Sequence, residues 1–195
     1  MNTVNSMPIR AFFALPVQDS VAKGLADYAD TLCEYDRGLE ALWVDSAGYH
    51  LTLLFMETLS LEQVTRLEAA AQSALQGLSP FRVCLERTDY YPVNRKLSLV
   101  AAMPEEPAPL QVLRDALIKA VDSCGIGYHA AGFKPHVTLG RLPADNGFEV
   151  PTEWPALNQR LSADSVVLYQ SRPGERGSIY SPLFSISLSG LTGSL

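Results

Sequence analysis

Apolar residues recur three or four positions apart in three segments, which is the spacing of one buried face of an amphipathic helix. The first helix is predicted at about residues 20–35, with Asp19 as its N-cap. The second follows a capping-box pattern that starts at Ser60, and the third ends at Gly125. The apolar positions are Val21, Leu25, Tyr28 and Leu32 in the first segment, Leu61, Val64, Leu67, Ala71 and Leu75 in the second, and Leu110, Leu113, Leu117, Ala120 and Val121 in the third.

Shorter runs rich in β-branched and aromatic residues predict strands around these helices. The polar and aromatic stretch 88–95 is predicted to connect two strands, 145–158 to form a loop, and 172–177 to form a hairpin loop. Helices mixed with mostly adjacent strands favour an α+β fold over a doubly wound sheet. The boundary of two halves is predicted near residues 103–109, a boundary that strands are able to cross. The predicted strands lie at residues 10–15, 41–44, 50–55, 81–86, 96–102, 162–170 and 178–187.

One pattern, H-x-T followed by an apolar residue, occurs at His50 and again at His136. Both copies lie in apolar runs that predict strands, the second over residues 133–141. Because alternate side chains of a strand share a face, His136 and Thr138 are expected to point one way and Val137 the other way, into a core. Two imidazoles on two equivalent strands can then face each other across a cleft.

A pair of histidines is suited to proton transfer. The pKa of an unperturbed imidazole is about 6.5, so one neutral and one protonated ring can coexist near neutral pH. One ring then acts as general base and the other as general acid, while the hydroxyls of Thr52 and Thr138 donate hydrogen bonds on the same face. Each of these residues alone also fits a structural role in a strand. His129 lacks the threonine and is predicted to be a surface or loop residue.

The sequences that flank the two motifs are also distinctive. They comprise the aromatic strand Arg10-Ala11-Phe12-Phe13-Ala14-Leu15, the pair Trp43-Val44, the run F-K-P-H-V-T-L-x-R at 133–141, and Val167-Leu168-Tyr169-x-Ser171 followed by Gly177-x-x-Tyr180. With these flanks the sequence resembles the two-histidine (2H) phosphoesterase superfamily, and within it the bacterial RNA 2′,3′-cyclic phosphodiesterases, also called the 2′-5′ RNA ligase family. The resemblance extends from about Arg10 to about Leu188.

The resemblance implies a bilobal fold, with two pseudo-symmetric lobes whose sheets line a central cleft and whose helices lie outside. The chain would form a single domain over residues 9–195 after a mobile tail at residues 1–8. The implied activity is metal-independent hydrolysis of an RNA-terminal 2′,3′-cyclic phosphate to a 2′-phosphate, with 2′-5′ ligation as the reverse reaction. His50 would be the proton donor and His136 the proton acceptor, assisted by the two threonines.

Substrate contacts are implied for a second group of residues. By resemblance Arg141 would contact the phosphate. Strict alternation, however, places it on the face opposite His136, as a solvated charge, unless a bulge or a strand end at Gly140 re-aims it. Lys134 and Arg172 would add positive charge near the mouth of the cleft. The aromatic candidates for stacking on a base or lining the cleft, each of which also fits a core position, are Phe12, Tyr90, Tyr91, Tyr169 and Tyr180.

The first motif departs from the family pattern. The family usually continues F-L-G, whereas this chain has Phe55-Met56-Glu57. The departure affects the loop after the strand and bears on the range of substrates. Two alternatives therefore remain: a phosphodiesterase of another nucleotide, such as 2′-5′ oligoadenylate or a cyclic phosphate of ADP-ribose, and a non-catalytic nucleotide-binding module.

The composition of the chain limits the classes of protein that are compatible with these interpretations. The chain has 195 residues, 47% of them hydrophobic, and a net charge of −6, which is typical of a globular protein. The negative charge argues against a protein that coats nucleic acid but permits a local basic pocket for an RNA or oligonucleotide end. No apolar run is long enough for a membrane span, and the first eight residues lack the apolar core of a signal peptide, so a cytoplasmic monomer is expected.

Cysteine usage and the missing ligand motifs limit the chemistry further. Cys33, Cys84 and Cys124 form no C-x-x-C pattern, which indicates reduced thiols that act as small buried hydrophobes. No H-E-x-x-H motif, Cys/His cluster or Asp-rich loop appears. The sequence therefore predicts neither a metal nor another cofactor.

Overall fold

The computed structural model describes residues 8–130, 132–175 and 177–190, so that most of the predicted tail, residues 1–7, lies outside the described part. It contains three helices, α1 (Asp19–Leu32), α2 (Leu61–Leu75) and α3 (Ala108–Ser123). The strands of the described residues are β1 (Ala11–Pro16), β2 (Leu42–Trp43), β3 (His50–Phe55), β4 (Phe81–Asn94), β5 (Leu97–Pro104), β6 (Val137–Pro143), β7 (Gln159–Ala163), β8 (Ser165–Gly174) and β9 (Gly177–Ser187).

All of these strands belong to one antiparallel sheet. Its order is β7-β4-β5-β6-β3-β1-β8-β9, and the short strand β2 pairs with β6 outside this path. The predicted α+β class is therefore confirmed. Strands β3 and β6, which carry or directly follow the two histidines, lie next to each other in the middle of the sheet.

The sheet consists of two halves that meet at one residue pair. Leu51 of β3 pairs with Val137 of β6, and no other register pair joins these two strands. Each half contains the same succession of strand, helix and motif strand, namely β1-α1-β3 and β5-α3-β6. Each helix also packs across the middle of the sheet, because α1 contacts β6 and β7 while α3 contacts β3. We call the contact between β3 and β6 the junction.

The predicted division of the halves at residues 103–109 is wrong. Strands β4 and β5 precede that link, yet they pair with β6 and β7 in the half that contains the second motif. Conversely, β8 and β9 come late in the chain but join β1 in the first half. Strand pairing is a long-range property, so the position of a proline-rich link did not reveal it.

The main core lies between the helices and one face of the sheet. Val137 and Leu139 of the second motif are fully buried in it, as the alternation at that motif predicts. Each helix buries most of its predicted apolar face, with Leu25, Leu67 and Leu117 fully buried. Leu61, at the first position of α2, is the exception: it is 66% exposed, so its predicted place on the buried face is wrong. Within the described residues, none of these helices is both long and apolar enough to cross a bilayer.

Several predicted boundaries are corrected by strand pairing. The stretch 88–95 is not a connection, because β4 continues through Tyr90 and Tyr91 to Asn94 while it pairs with β5. The predicted strand 162–170 is divided at Asp164 into β7 and β8, which pair with different partners. Asp19 is the first helical residue rather than the cap, which is Gln18.

The predicted capping box of α2 is confirmed. The Ser60 hydroxyl accepts a hydrogen bond from the Gln63 amide at 3.1 Å, and the Gln63 side chain accepts one from the Ser60 amide at 2.9 Å. This pairing satisfies two N–H groups that the first turn of a helix otherwise leaves without partners. Because α2 packs against α3, the capping box also stabilises the helical layer behind the first motif.

Candidate active site

The junction brings the two H-x-T motifs together. An antiparallel register that pairs Leu51 with Val137 places His50 opposite Thr138 and Thr52 opposite His136. Leu51 and Val137 are both fully buried, so the flanking residues point to the other face of the sheet. His136 lies just before the first residue of β6, so the strand predicted at 133–141 begins later than expected.

A cavity of about 560 Å³ opens over this face of the junction. Its volume lies within the range of ligand pockets and is much larger than a single phosphate needs. The lining includes all four motif residues and Arg141, and it draws on both halves of the sheet, on α3 and on the loop that precedes the second motif. The described part of the lining contains no aspartate or glutamate, although the chain as a whole carries a net charge of −6.

Each imidazole is held by a backbone carbonyl two residues before it. The Nδ1 atom of His50 lies 2.8 Å from the Gly48 carbonyl oxygen, and that of His136 lies 2.7 Å from the Lys134 carbonyl oxygen. A carbonyl oxygen only accepts hydrogen bonds, so Nδ1 carries the proton in both rings. The Nε2 atom of each neutral ring then keeps its lone pair for a ligand. The backbone contact expected of a structural histidine thus coexists with a free nitrogen.

Both imidazoles are harder to protonate than a histidine in water. Burial lowers the pKa of His50 and of His136, although the bonds to the backbone carbonyls oppose this effect. Nearby positive charges lower both pKa values further. For His50 these charges are on Arg141 and His136, and for His136 they are on Lys134 and Arg141. A bound anion would counter these effects, because it stabilises the protonated ring.

Arg141 reaches the cavity because β6 contains a bulge. Thr138 pairs with Ala101 of β5 and Gly140 with Val100, so β6 has one more residue than its partner at this point. The extra residue reverses the alternation, and Arg141 lines the cavity together with Thr138. The bulge considered at Gly140 is therefore confirmed, whereas a phosphate-binding role of Arg141 stays a prediction.

The first motif contains an irregularity at the equivalent place. Thr52 pairs with Ala14 of β1 and Leu54 with Phe13, which leaves one additional residue in β3. In each half the fifth residue after the histidine then lines the cavity, and these residues are Phe55 and Arg141. The two halves are thus alike in backbone and different in chemistry.

Gly140 allows close packing beside the bulge. It pairs with Trp43 of β2, and a Cβ atom at this position would lie 3.0 Å from the Trp43 ring. A side chain here would push the indole away from the strand. The tryptophan before the first motif therefore packs against the second motif, which sequence reasoning did not predict.

Aromatic rings support His50 from behind. The Phe12 ring lies 5.1 Å from the imidazole and is 1% exposed, so its predicted contact with a substrate is wrong. Tyr169 stacks on Phe12 at 5.6 Å and is half-buried, outside the lining of the cavity, so its contact with a substrate stays a prediction. Tyr180 does line the cavity, and its ring meets His50 edge-on at 5.0 Å.

His136 is supported by a tyrosine and a lysine. The Tyr91 hydroxyl lies 3.2 Å from Nδ1 of His136, and the Lys134 ammonium lies 3.3 Å from the centre of the Tyr91 ring. Lys134 also forms an ion pair with Asp89 at 2.8 Å. Burial, together with the negative charge of Asp89, raises the pKa of Tyr91 to about 12, so its hydroxyl stays protonated.

Two other predicted contacts lie elsewhere. Tyr90 stacks on Phe148 at 5.2 Å, outside the lining of the cavity. Arg172 lies exposed on β8, outside the lining of the cavity, and donates a hydrogen bond to the Ser181 hydroxyl, so its charge near the mouth stays a prediction. The surroundings of these two side chains depend on which strands pair with β4 and β8. Only the sheet order gives that pairing.

Sequence reasoning missed Arg114, His129 and Phe133, which all line the cavity. His129 lies in an exposed loop, as predicted, but faces the same cavity as the other two histidines. Arg114 had a detectable signal, because it occupies a position on the apolar face of α3, four residues after Leu110, where a charged residue is unusual.

The cysteine and metal predictions have different outcomes. Cys124 is buried, but Cys84 is half-buried and Cys33 is exposed, so the interpretation as buried hydrophobes holds only for Cys124. Within the described residues, no group of three or more His, Cys, Asp or Glu side chains is arranged to hold a metal ion. Metal-independent chemistry stays a prediction.

The burial of the two rings predicts their titration. We expect the midpoints of His50 and His136 to lie below 6.5 in the ligand-free protein, because burial disfavours the charged imidazolium. The measurement is a pH titration of the imidazole C2–H resonances, assigned with single His→Gln variants. Midpoints at or above 6.5 for both rings would contradict this account of the site.

Known proteins resemble this chain over most of its length. RNA 2′,3′-cyclic phosphodiesterase of Bacillus subtilis is 22% identical over 181 residues, which cover 91% of this chain and 96% of the relative. The protein of the same name from Thermotoga maritima is 24% identical over 191 residues, covering 93% and 97%. The crystal structure of E. coli LigT complexed with 3′-AMP has the same fold, with a TM-score of 0.74 at 23% identity over 93% of this chain and 98% of that one.

The family assignment depends on the sequence profile. The profile described as the 2′-5′ RNA ligase superfamily matches residues 43–174, a segment that contains both H-x-T motifs and Arg141. Because this match covers more than half of the chain, the protein belongs to the 2′-5′ RNA ligase superfamily.

Proposed function

We propose that the protein hydrolyses the 2′,3′-cyclic phosphate at the end of an RNA to a 2′-phosphate. The observation that carries this proposal is the pair of H-x-T motifs placed across the junction, with both Nε2 atoms free above a cavity that has no acidic side chain in its described lining. The names of the relatives from B. subtilis and T. maritima support the same substrate class.

The proposed reaction consumes one water molecule. Its oxygen forms a bond to phosphorus while the bond from phosphorus to the ribose 3′-oxygen breaks, which leaves a 2′-phosphate and a 3′-hydroxyl. His136 accepts the proton of the water through Nε2, and His50 donates the proton that the 3′-oxygen requires. The two motifs are equivalent in geometry, so the assignment of donor and acceptor comes from the family resemblance.

The remaining residues compensate the negative charge on the phosphoryl group. Thr52 and Thr138 lie on the same face as the histidines and can donate hydroxyl hydrogen bonds to its oxygens, while Arg141 supplies a permanent positive charge. The bound phosphodiester carries a negative charge, which raises the pKa of the nearer imidazole and offsets the effect of burial. One ring is then protonated in the complex and the other is neutral, as the mechanism requires. The same groups would also serve the reverse reaction, in which a 2′-5′ bond forms.

Removal of either histidine tests the mechanism. We expect His50→Ala and His136→Ala each to lower kcat by about 10²–10⁴-fold, the usual loss when a general acid or base is removed. Turnover of a short RNA with a cyclic phosphate end is the readout, and circular dichroism checks the fold. Thr65→Ala on the exposed face of α2 serves as a control variant that should keep full activity. Full activity in either folded histidine variant would end the two-histidine mechanism.

The roles of the two histidines can be separated with an activated substrate. A phosphodiester with a better leaving group needs less protonation of the leaving oxygen, so it should partly restore the activity of His50→Ala and do little for His136→Ala. The comparison is the ratio of turnover between the activated and the RNA substrate in each variant. Selective recovery of His136→Ala would reverse the assignment.

Chelation tests whether a metal takes part. Two imidazoles, two hydroxyls and a guanidinium provide the acid, the base and the charge compensation, so activity should be unchanged in excess EDTA. The measurement is the initial rate before and after dialysis against EDTA. A loss that a single divalent ion restores would show that the proposed mechanism is wrong.

A further inference from the structure

The lining of the cavity includes residues outside the two motif strands. Arg114 of α3 and residues of the loop that leads to the second motif belong to it. Arg114 is 7% exposed, which is unusual for a charged side chain, and yet it belongs to the lining of the cavity. Its position on the apolar face of the helix directs the guanidinium towards the interior.

Among the described residues, the contacts of Arg114 include no carboxylate. Nη2 donates to the carbonyl oxygens of His129 at 3.1 Å and Ala130 at 3.3 Å, and the guanidinium lies 4.9 Å from the centre of the Phe133 ring. These partners are neutral. Within the described residues no carboxylate lies within 4.0 Å of Arg114, whereas Lys134 in the same lining is paired with Asp89. A buried cation that is held only by neutral groups gains further stability when an anion binds to it.

The charges of the whole lining agree with an anionic ligand. Arg114, Lys134 and Arg141 contribute three cations, and all three histidines of the chain lie in the same lining. Arg141 belongs to the bulge beside Thr138, whereas Arg114 extends from α3. Two guanidinium groups on different elements therefore line one cavity.

We propose that Arg114, together with the imidazole of His129, binds a second phosphate of the substrate. In an RNA end this is the internucleotide phosphate one nucleotide before the terminal cyclic phosphate. The inference rests on the proposed function, since it takes the terminal phosphate to occupy the H-x-T motifs. It makes the protein selective for chains of at least two nucleotides over cyclic mononucleotides.

Three substrates isolate the charge of that phosphate. They are a 2′,3′-cyclic mononucleotide, a dinucleotide with the same cyclic end, and that dinucleotide with an uncharged methylphosphonate linkage. For the unmodified protein we expect kcat/KM to be about tenfold higher for the natural dinucleotide than for the other two, the effect of about one charge-assisted hydrogen bond. Arg114→Gln should remove this advantage, mainly by raising KM for the natural dinucleotide. It should change kcat/KM for the cyclic mononucleotide and for the methylphosphonate dinucleotide by less than about twofold.

Matched variants separate recognition from folding. Arg114→Lys keeps the charge and should restore part of the advantage, and His129→Ala alters an exposed loop side chain and should remove a smaller part. Arg66→Gln, on the exposed face of α2, makes the same chemical change away from the cavity and should leave all three substrates unchanged. Equal losses for all three substrates in Arg114→Gln would show that Arg114 only holds the loop, and would overturn the proposal.

A binding measurement distinguishes this inference from the proposed function. Calorimetry with a dinucleotide that ends in a 2′-phosphate, in natural and methylphosphonate forms, reports the second subsite without turnover. If the protein hydrolyses none of the cyclic substrates but binds the natural form about tenfold more tightly, the proposed function fails and the subsite stands. If it hydrolyses the cyclic substrates but binds both forms equally, the subsite is wrong and the proposed function stands.

Discussion

The pairing of Leu51 with Val137 is the contact on which the arrangement of the site depends. It is the one register pair between β3 and β6, and it joins two halves that otherwise form their own networks of hydrogen bonds. Both side chains are fully buried, so the alternation of the strands turns the neighbouring residues to the opposite face. A shift of one residue in this register would send the imidazoles into the core and the apolar side chains into the cavity.

The local backbone prepares both histidines in the same way. A carbonyl two residues earlier accepts a hydrogen bond from Nδ1 in each motif, so the turn before the strand orients the ring and selects its tautomer. The surroundings then differ. Phe12 and Tyr180 pack against His50, whereas Tyr91 contacts His136 through its hydroxyl. Two rings with a common backbone setting thus occupy different environments, which is a requirement for different roles in proton transfer.

The equivalent irregularities of β3 and β6 bring side chains of different chemistry to the cavity. Each lies just after the threonine, and each brings the fifth residue after the histidine into the lining. One half presents the phenyl ring of Phe55 and the other the guanidinium of Arg141. An apolar ring and a cation at equivalent places suit a ligand that combines a base with a phosphate.

The sequence by itself determined the α+β class, because strand alternation and helical periodicity are local properties that can be read along the chain. It also contained the two H-x-T motifs and their flanks, which carry the resemblance to the family. At Gly140 it left a bulge and a strand end as two ways to turn Arg141 towards the cleft. Only the tertiary structure decided that Phe12 is buried, that Arg114 and His129 reach the cavity, and that β4 and β5 join the second half. These features depend on which strands pair and on where α3 packs. Such contacts join residues far apart in the chain, and no local pattern encodes them.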